Sequence, residues 1–446
     1  MYSSFPEQAK AQGIDIVYAN NAPVSLGTFG YKQIDWPAIQ LHWKTDALKN
    51  AIKHNELNYF SAKTGNSIYH RYKFNWNTKG WKNKLKTRLA KRLIKEHPSQ
   101  EYIDQLRNKL NEQEQKTTYF KRWKEIFQIE QPNIVLCASQ RPIAAVAAMQ
   151  AAKTLKIPTI CSIYSWDNLP KATLVVEADH YWVWSEHMKQ ELLYYYPFVM
   201  ESQITVTGTP QFENHYRKDK LLSRKEFCEA NNLQAEYQYV CFSGDDVTTS
   251  PYDPQYLEDV SEAIRSYNTR ENKTVKILFR RCPVDFSDRY DAVLKAYTDV
   301  IVNLPPLWQA IGNNWDKKIP TLEDFTLQAN LAEHTALVIN VGSSMVFDFV
   351  AHNKPCAYLN YNPEGSDTAV KDINTIYKYI HFQSMPDKPA VFWLDNKESI
   401  QESIKTAIKA PEAIIKGAQM WFEKIALHPP EETTKRMVDW VQALRS

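Results

Sequence analysis

With 446 residues, 43 % of them hydrophobic, the chain is long enough to bury two or three cores, which excludes a disordered protein. A formal net charge of +3 excludes polyanion binding by the chain as a whole, so any basic function must be local. Six scattered cysteines without a CxxC pair argue against a disulfide framework or a zinc site, and no apolar run is long enough to span a bilayer.

These features, and the lack of a signal peptide before residue 20, predict a cytosolic protein. Thirteen Trp and 25 Tyr are many for this length, and the sequence predicts that part of the excess lines binding surfaces.

In chain order, β-branched and aromatic runs alternate with longer amphipathic ones. Strands are expected at 14–19, 133–138, 158–163, 180–184, 203–207, 237–242, 275–280, 300–303, 336–341, 355–359 and 391–394. Helices are expected at 142–156, 186–196, 254–267, 322–333, 344–353 and 397–410. This rhythm predicts βαβ units in parallel sheets, and the near-continuous apolarity of several strands predicts helices on both sheet faces. The rhythm breaks once, in the charged stretch 213–236. The reading is therefore an α/β protein with a first domain over 1–212, a linker over 213–236 and a second domain over 237–410. Residues 411–446 form helices that cross back to the first domain.

Residues 71–97 stand apart because Lys and Arg crowd there with Glu96 as the only acid. From Trp81, apolar residues recur as Leu85, Leu89, Leu93 and Ile94, so 81–97 is a helix with one apolar stripe and a basic opposite face. Two readings stay open. The helix rests on an anionic membrane surface, or it packs on its own domain with a solvated basic face. Nucleic acid is a weaker third reading because no recognition motif accompanies the charge, and no nucleic-acid partner is expected.

Ligands in parallel α/β sheets bind beyond the carboxyl ends of the strands, and four segments fall there. In "SIYSWDNLPK" (162–171), Asp167 is placed to act as a general base, Trp166 to stack on an acceptor and Asn168 to hydrogen-bond it. The bland reading is a turn before Pro170 with Trp166 as core. "SGDDVTTS" (243–250) follows the first strand of the second domain and is expected to line the cleft. In "ILFRRCPVD" (277–285), Arg280 and Arg281 end a strand and can clamp a diphosphate, or pair with surface acids. In "NVGSSMVFD" (340–348), Gly342 admits a ligand to the backbone, while the Ser343 and Ser344 hydroxyls and the helix N–H groups hold phosphate oxygens. Asp348, one turn on, would hold a ribose diol; the bland reading pairs it with a cation. No Asp-x-Asp triplet, HExxH, Walker loop or GxSxG occurs. The expectation is a metal-free site needing no cofactor, with phosphate charge met by Arg, Ser and helix dipoles.

Assembled, the segments 157–169, 178–197, 204–213, 276–285 and 336–359 resemble bacterial GT-B glycosyltransferases. They are most similar to the UDP-glycosyltransferase and CDP-glycerol glycerophosphotransferase-like proteins of surface-polysaccharide biosynthesis. The resemblance implies a GT-B type fold, in which two Rossmann-like, doubly wound domains face a cleft. It also implies an acceptor held by the first domain and a nucleotide donor held by the second. It places Gly342, Ser343, Ser344 and Asp348 on the nucleotide, and Gly208 and Thr209 at an interdomain hinge facing the donor.

Relatives commonly carry Arg-x-His-Pro where this chain has Arg280-Arg281-Cys282-Pro283, so an expected imidazole is missing. Relatives also begin with an apolar strand and a Gly-rich loop that this chain lacks, so it reads as N-terminally truncated. The expected function is metal-independent, inverting transfer from a nucleotide sugar, such as a UDP-sugar, to a surface-glycan or lipid-linked acceptor at the inner membrane face. Rival readings are CDP-polyol phosphate transfer, UDP-sugar 2-epimerisation and a degenerate, non-catalytic binding protein.

Overall fold

The computed structural model describes residues 3–21, 25–37, 41–285, 287–310 and 318–445. Near the N-terminus, β1 (Tyr18–Asn20) and β2 (Gln33–Asp35) pair in parallel with each other. A four-stranded parallel sheet follows from β3 (Val135–Cys137), β4 (Thr159–Ser162), β5 (His180–Val183) and β6 (Ile204–Val206), in that order. The second sheet contains β7 (Gln238–Ser243), β8 (Val275–Arg280) and β9 (Ile301–Asn303). After the small antiparallel pair β10 (Gln309–Ala310) and β11 (Lys318–Ile319), it continues with β12 (Val338–Asn340), β13 (Cys356–Leu359) and β14 (Phe392–Leu394). Its parallel order is β14-β13-β12-β7-β8-β9, so strand order reverses beside β7.

Every run predicted as a strand overlaps one of these strands, though 14–19 meets β1 only at its end. In the second sheet β12 and β13 are buried throughout, as expected when both sheet faces are covered. The predicted helix 344–353 is shorter, spanning only Met345–Val350. The stretch 213–236 is strand-free but folded. The 3₁₀ helix Pro210–Tyr216 runs into it, and Ser223 caps the helix Arg224–Ala230 in a reciprocal capping box with Glu226.

The C-terminal helices Glu412–Ile425 and Thr433–Arg445 return to the first sheet. Trp440 packs edge-on to Trp182 at 5.7 Å, and Met437 and Val441 join Ile160 in one cluster. Leu427 N donates to Trp184 O at 2.7 Å, and Thr434 N donates to Glu213 Oε1 at 2.8 Å.

Aromatic residues close the interface between the halves. Trp166 meets Phe347, His381, Phe382 and Trp421 edge-on at ring distances of 4.8–5.9 Å. Tyr72 stacks on Tyr379 at 5.1 Å. Each such ring contributes about 1.5–3 kcal/mol through burial. Much of the aromatic excess expected at binding surfaces is therefore packed inside.

The basic segment forms the helix Trp81–Leu93. Its stripe divides. Leu89, Leu93 and Ile94 pack on Ala47 and Ala51, whereas Trp81 and Leu85 remain 71 % and 43 % exposed. All six cysteines are free, four of them buried. Among the described residues no helix is long and apolar enough to cross a membrane.

Candidate functional site

A cavity of 210 Å³ lies where strand order reverses in the second sheet. This is where open parallel sheets leave a crevice for ligands. Ser243, Gly244 and Asp245 line it beyond β7, and Arg280 to Pro283 line it at the end of β8. Ser343, Met345 and Asp348 follow β12, and Gln211, Asn214 and His215 enter from the connector that leaves the first sheet.

The two arginines give the cavity its charge. Arg280 is 4 % exposed and bonds Asp324 through Nη2 alone, at 3.0 and 2.8 Å. Asp324 sits in the first turn of the helix Leu322–His334 and also accepts from Leu307 N at 2.8 Å and Trp308 Nε1 at 2.7 Å. That carboxylate is fully occupied. Arg280 Nη1 and Arg281 Nε, both buried, have no hydrogen-bond acceptor among the described residues. An unmet buried donor costs about 1–3 kcal/mol, so an anion in this cavity would relieve both arginines. Asp245 Oδ2 in the same wall is likewise without a partner among the described residues.

Asp245 would repel that anion if ionised, but burial, then Asp253 and Asp246, push its carboxyl well above the usual range. Asp253 beside it is pushed up to about 6, chiefly by burial. The shift at Asp245 favours its neutral, hydrogen-bond-donating form. Cys282, where the resembled family has His, is likewise kept neutral, its thiol raised to about 11 by burial.

Asp348 is only 3 % exposed in its side chain and is engaged on Oδ1 by His215 Nε2 at 2.7 Å and Gln328 Nε2 at 3.0 Å. His215 Nδ1 faces His352 Nε2 at 3.0 Å, and His352 Nδ1 faces Glu333 Oε2 at 2.7 Å. Glu333 is 41 % exposed, so the row connects cavity to solvent. The contacts place two imidazoles in a row between two carboxylates, and burial, then His215, lowers His352 to about 4, which favours its neutral form.

Of the residues expected at the site, Arg280, Arg281, Ser343 and Asp348 meet in this cavity, but two of them in altered roles. Asp348 is satisfied within the protein instead of waiting for a ribose. Ser343 N is used by Asn340 Oδ1 at 2.8 Å, so it is not free for phosphate. Ser344 and Gly342 do not line the cavity, and the helix after them has only six residues. Gly342 has φ +65°, and an added Cβ would come within 2.9 Å of Phe382 Cζ, so packing explains this glycine. Gly208 and Thr209 are also outside. Gly208 has φ +89° and lies against Thr433, while Thr209 Oγ1 accepts from Gln211 N at 3.4 Å.

The first-domain candidates are corrected. Trp166 is core in the aromatic interface, so it has no face for an acceptor. Asn168 is buried, accepting from Gln140 Nε2 at 2.9 Å and donating to Asp167 Oδ1 at 2.7 Å. Asp167 is ion-paired with Lys171. Burial pushes its carboxyl up, but Lys171 and His381 outweigh that and hold it well below the carboxylate range, making it a poor base. His215 was missed. It lies in a charged stretch without periodicity, and only its nearness to the carboxyl end of β6 signals the cleft.

No family model matches the sequence, and no curated protein matches it. Among solved structures the chain is similar to the S. aureus MnaA–UDP co-structure (12 % identity, 76 % of this chain and 82 % of that chain covered, TM-score 0.47). It is also similar to UDP-GlcNAc 2-epimerase from Neisseria meningitidis bound to UDP-GlcNAc (13 %, 78 % and 84 %, 0.45). A third is the wall teichoic acid polymerase TagF (11 %, 70 % and 71 %, 0.43). The likeness is of fold and carries no residue role.

Proposed function

We propose that the chain is a nucleotide-sugar-dependent enzyme that transfers the sugar from a nucleoside diphosphate to a surface-glycan or lipid-linked acceptor. The observation that carries this reading is the pair of unpartnered buried donors, Arg280 Nη1 and Arg281 Nε, in one cavity wall. They fit a diphosphate, and Asp245, shifted by burial toward its neutral form, would add a hydrogen bond with less opposing charge.

As the acceptor oxygen bonds to the anomeric carbon, the bond from that carbon to the leaving phosphate oxygen breaks. His215, hydrogen-bonded to Asp348 at the cavity, supplies a proton that stabilises the departing diphosphate. The row through His352 and Glu333 restores that proton from solvent, which also receives the acceptor's own. The exposed Trp81, Leu85 and Phe74 among Lys79, Lys82, Lys84 and Arg88 support contact with an anionic membrane bearing the acceptor.

The test is product identity, with UDP-, GDP- and CDP-activated sugars and CDP-glycerol incubated with the full chain and envelope extract. Release of a nucleoside diphosphate that depends on extract is expected, with co-sedimentation on vesicles containing phosphatidylglycerol. CMP release would replace the reading with polyol-phosphate transfer. Isomerisation of a UDP-sugar without extract would replace it with epimerisation, and nucleotide binding without any product would leave a non-catalytic protein.

A further inference from the structure

A second cavity, of 490 Å³, opens in the first domain. It lies at the carboxyl ends of β3 and β4, from which Arg141 and Tyr164 emerge. The helix Trp43–Thr64 covers it with Lys49, Lys53 and Glu56, whose spacing places them on one helix face.

The two acids of this cavity are already paired, though with one shared cation. Arg107 bonds Glu56 Oε1 and reaches Glu177 Oε1 at 3.2 Å, and Asn111 Nδ2 donates to Glu177 Oε2 at 3.3 Å. The other cations are not. Among the described residues, Lys49, Lys53 and Arg141 have no carboxylate partner, and Lys53 Nζ instead rests 3.9 Å from the centroid of the Phe74 ring. Burial, then the charges of Lys49, Arg141 and Lys171, lower Lys53 to about 8 against the pull of Glu56. Three cations lining one open cavity, Arg141 exposed and Lys49 and Lys53 half-buried, repel each other, and an anion between them relieves that cost. A carboxylate brings one negative charge, whereas a phosphate monoester brings about −1.5 to −2 and three acceptor oxygens, which matches three unpartnered cations better. Ile52, Leu110 and Pro142 supply apolar wall for an uncharged remainder.

We propose that this first-domain cavity binds a phosphate ester, held by Lys49, Lys53 and Arg141, as the acceptor of the transfer. Only the word acceptor rests on the transferase reading. The binding itself does not, so the two fail separately.

The test titrates the full chain with glucose 1-phosphate for a soluble ester, dihexanoyl phosphatidic acid for a lipid-borne one, methyl glucoside as the neutral control, and UDP. At least one phosphate probe is expected to bind, methyl glucoside is not, and the Lys53→Met/Arg141→Gln double variant is expected to bind that probe at least about tenfold more weakly. UDP affinity in the variant is expected to stay unchanged, which shows that the fold is intact. Wild-type affinity for the phosphate probe is expected to fall several-fold between pH 7.5 and 9.5 as Lys53 loses its proton, and the Lys53→Met single variant is expected to lose that dependence. No binding of either phosphate probe, equal binding by the double variant, or equal binding of methyl glucoside would overturn the assignment. Phosphate binding without UDP binding would keep this site and remove the transferase reading.

Discussion

The Asp348→Asn variant is expected to turn over about 10²–10⁴-fold more slowly than wild type while its UDP affinity stays within about threefold. The side chains are isosteric, and an amide oxygen can still accept from Gln328 and His215 where Oδ1 now does. What the amide cannot do is balance a protonated imidazole. An imidazolium formed at His215 during the reaction would then lack a counter-charge, because its other partner is His352, which burial favours as neutral. Geometry survives and the acid function does not. Single-turnover cleavage of the donor, read beside the thermal unfolding midpoint, separates the two. A variant that unfolds early, or one that cleaves at the wild-type rate, would remove Asp348 from the chemistry.

The second large effect is on stability. Arg280→Met leaves Asp324 ionised and buried without its cation, at a cost of about 3 kcal/mol in urea unfolding. Removing both charges in Arg280→Met/Asp324→Leu is expected to recover most of that loss, because the penalty comes from the stranded charge. Both variants are expected to lose UDP binding, since Arg280 Nη1 is one of the two open donors. If the double variant were no more stable than the single, the hydrogen bonds from Leu307 and Trp308 to Asp324 would outweigh the ion pair.

The alternation of apolar strands and amphipathic helices was legible because helices cover both faces of the second sheet, leaving unbroken runs such as Val338–Asn340. Strand ends carried functional information for the same reason. Arg280 and Arg281 could be placed at the crevice from their position at the end of β8 alone. The helix Trp43–Thr64 was not legible. It buries Thr45, Asn55, Glu56 and Asn58 beside its apolar residues, which blurs the periodicity that marks a helix. Asn55 and Asn58 are buried because they bond backbone carbonyls of the neighbouring segment, Leu93 O at 3.0 Å and Lys95 O at 2.6 Å. Lys49 and Lys53, and with them the second cavity, were hidden along with that helix.

Residue chemistry misled at the other positions. Asp167, Trp166 and Asn168 have the composition of a binding loop, yet the packing between the halves turns them inward, and no local pattern encodes a contact with Trp421. Asp348 looked like an acid waiting for a ligand because its partner, His215, is 133 positions away in the sequence. In the proposed reaction this long-range pairing moves the acid from the first-domain loop to the second-domain cavity.

Isothermal titration of UDP into the wild-type chain and into Arg281→Met tests most directly whether this cavity holds a nucleoside diphosphate. Arg281 has no ion pair to break among the described residues, so its loss should leave the fold unchanged. Saturable binding to wild type, weakened at least about tenfold in the variant, is the predicted result. No binding by either chain, or equal binding by both, would contradict it.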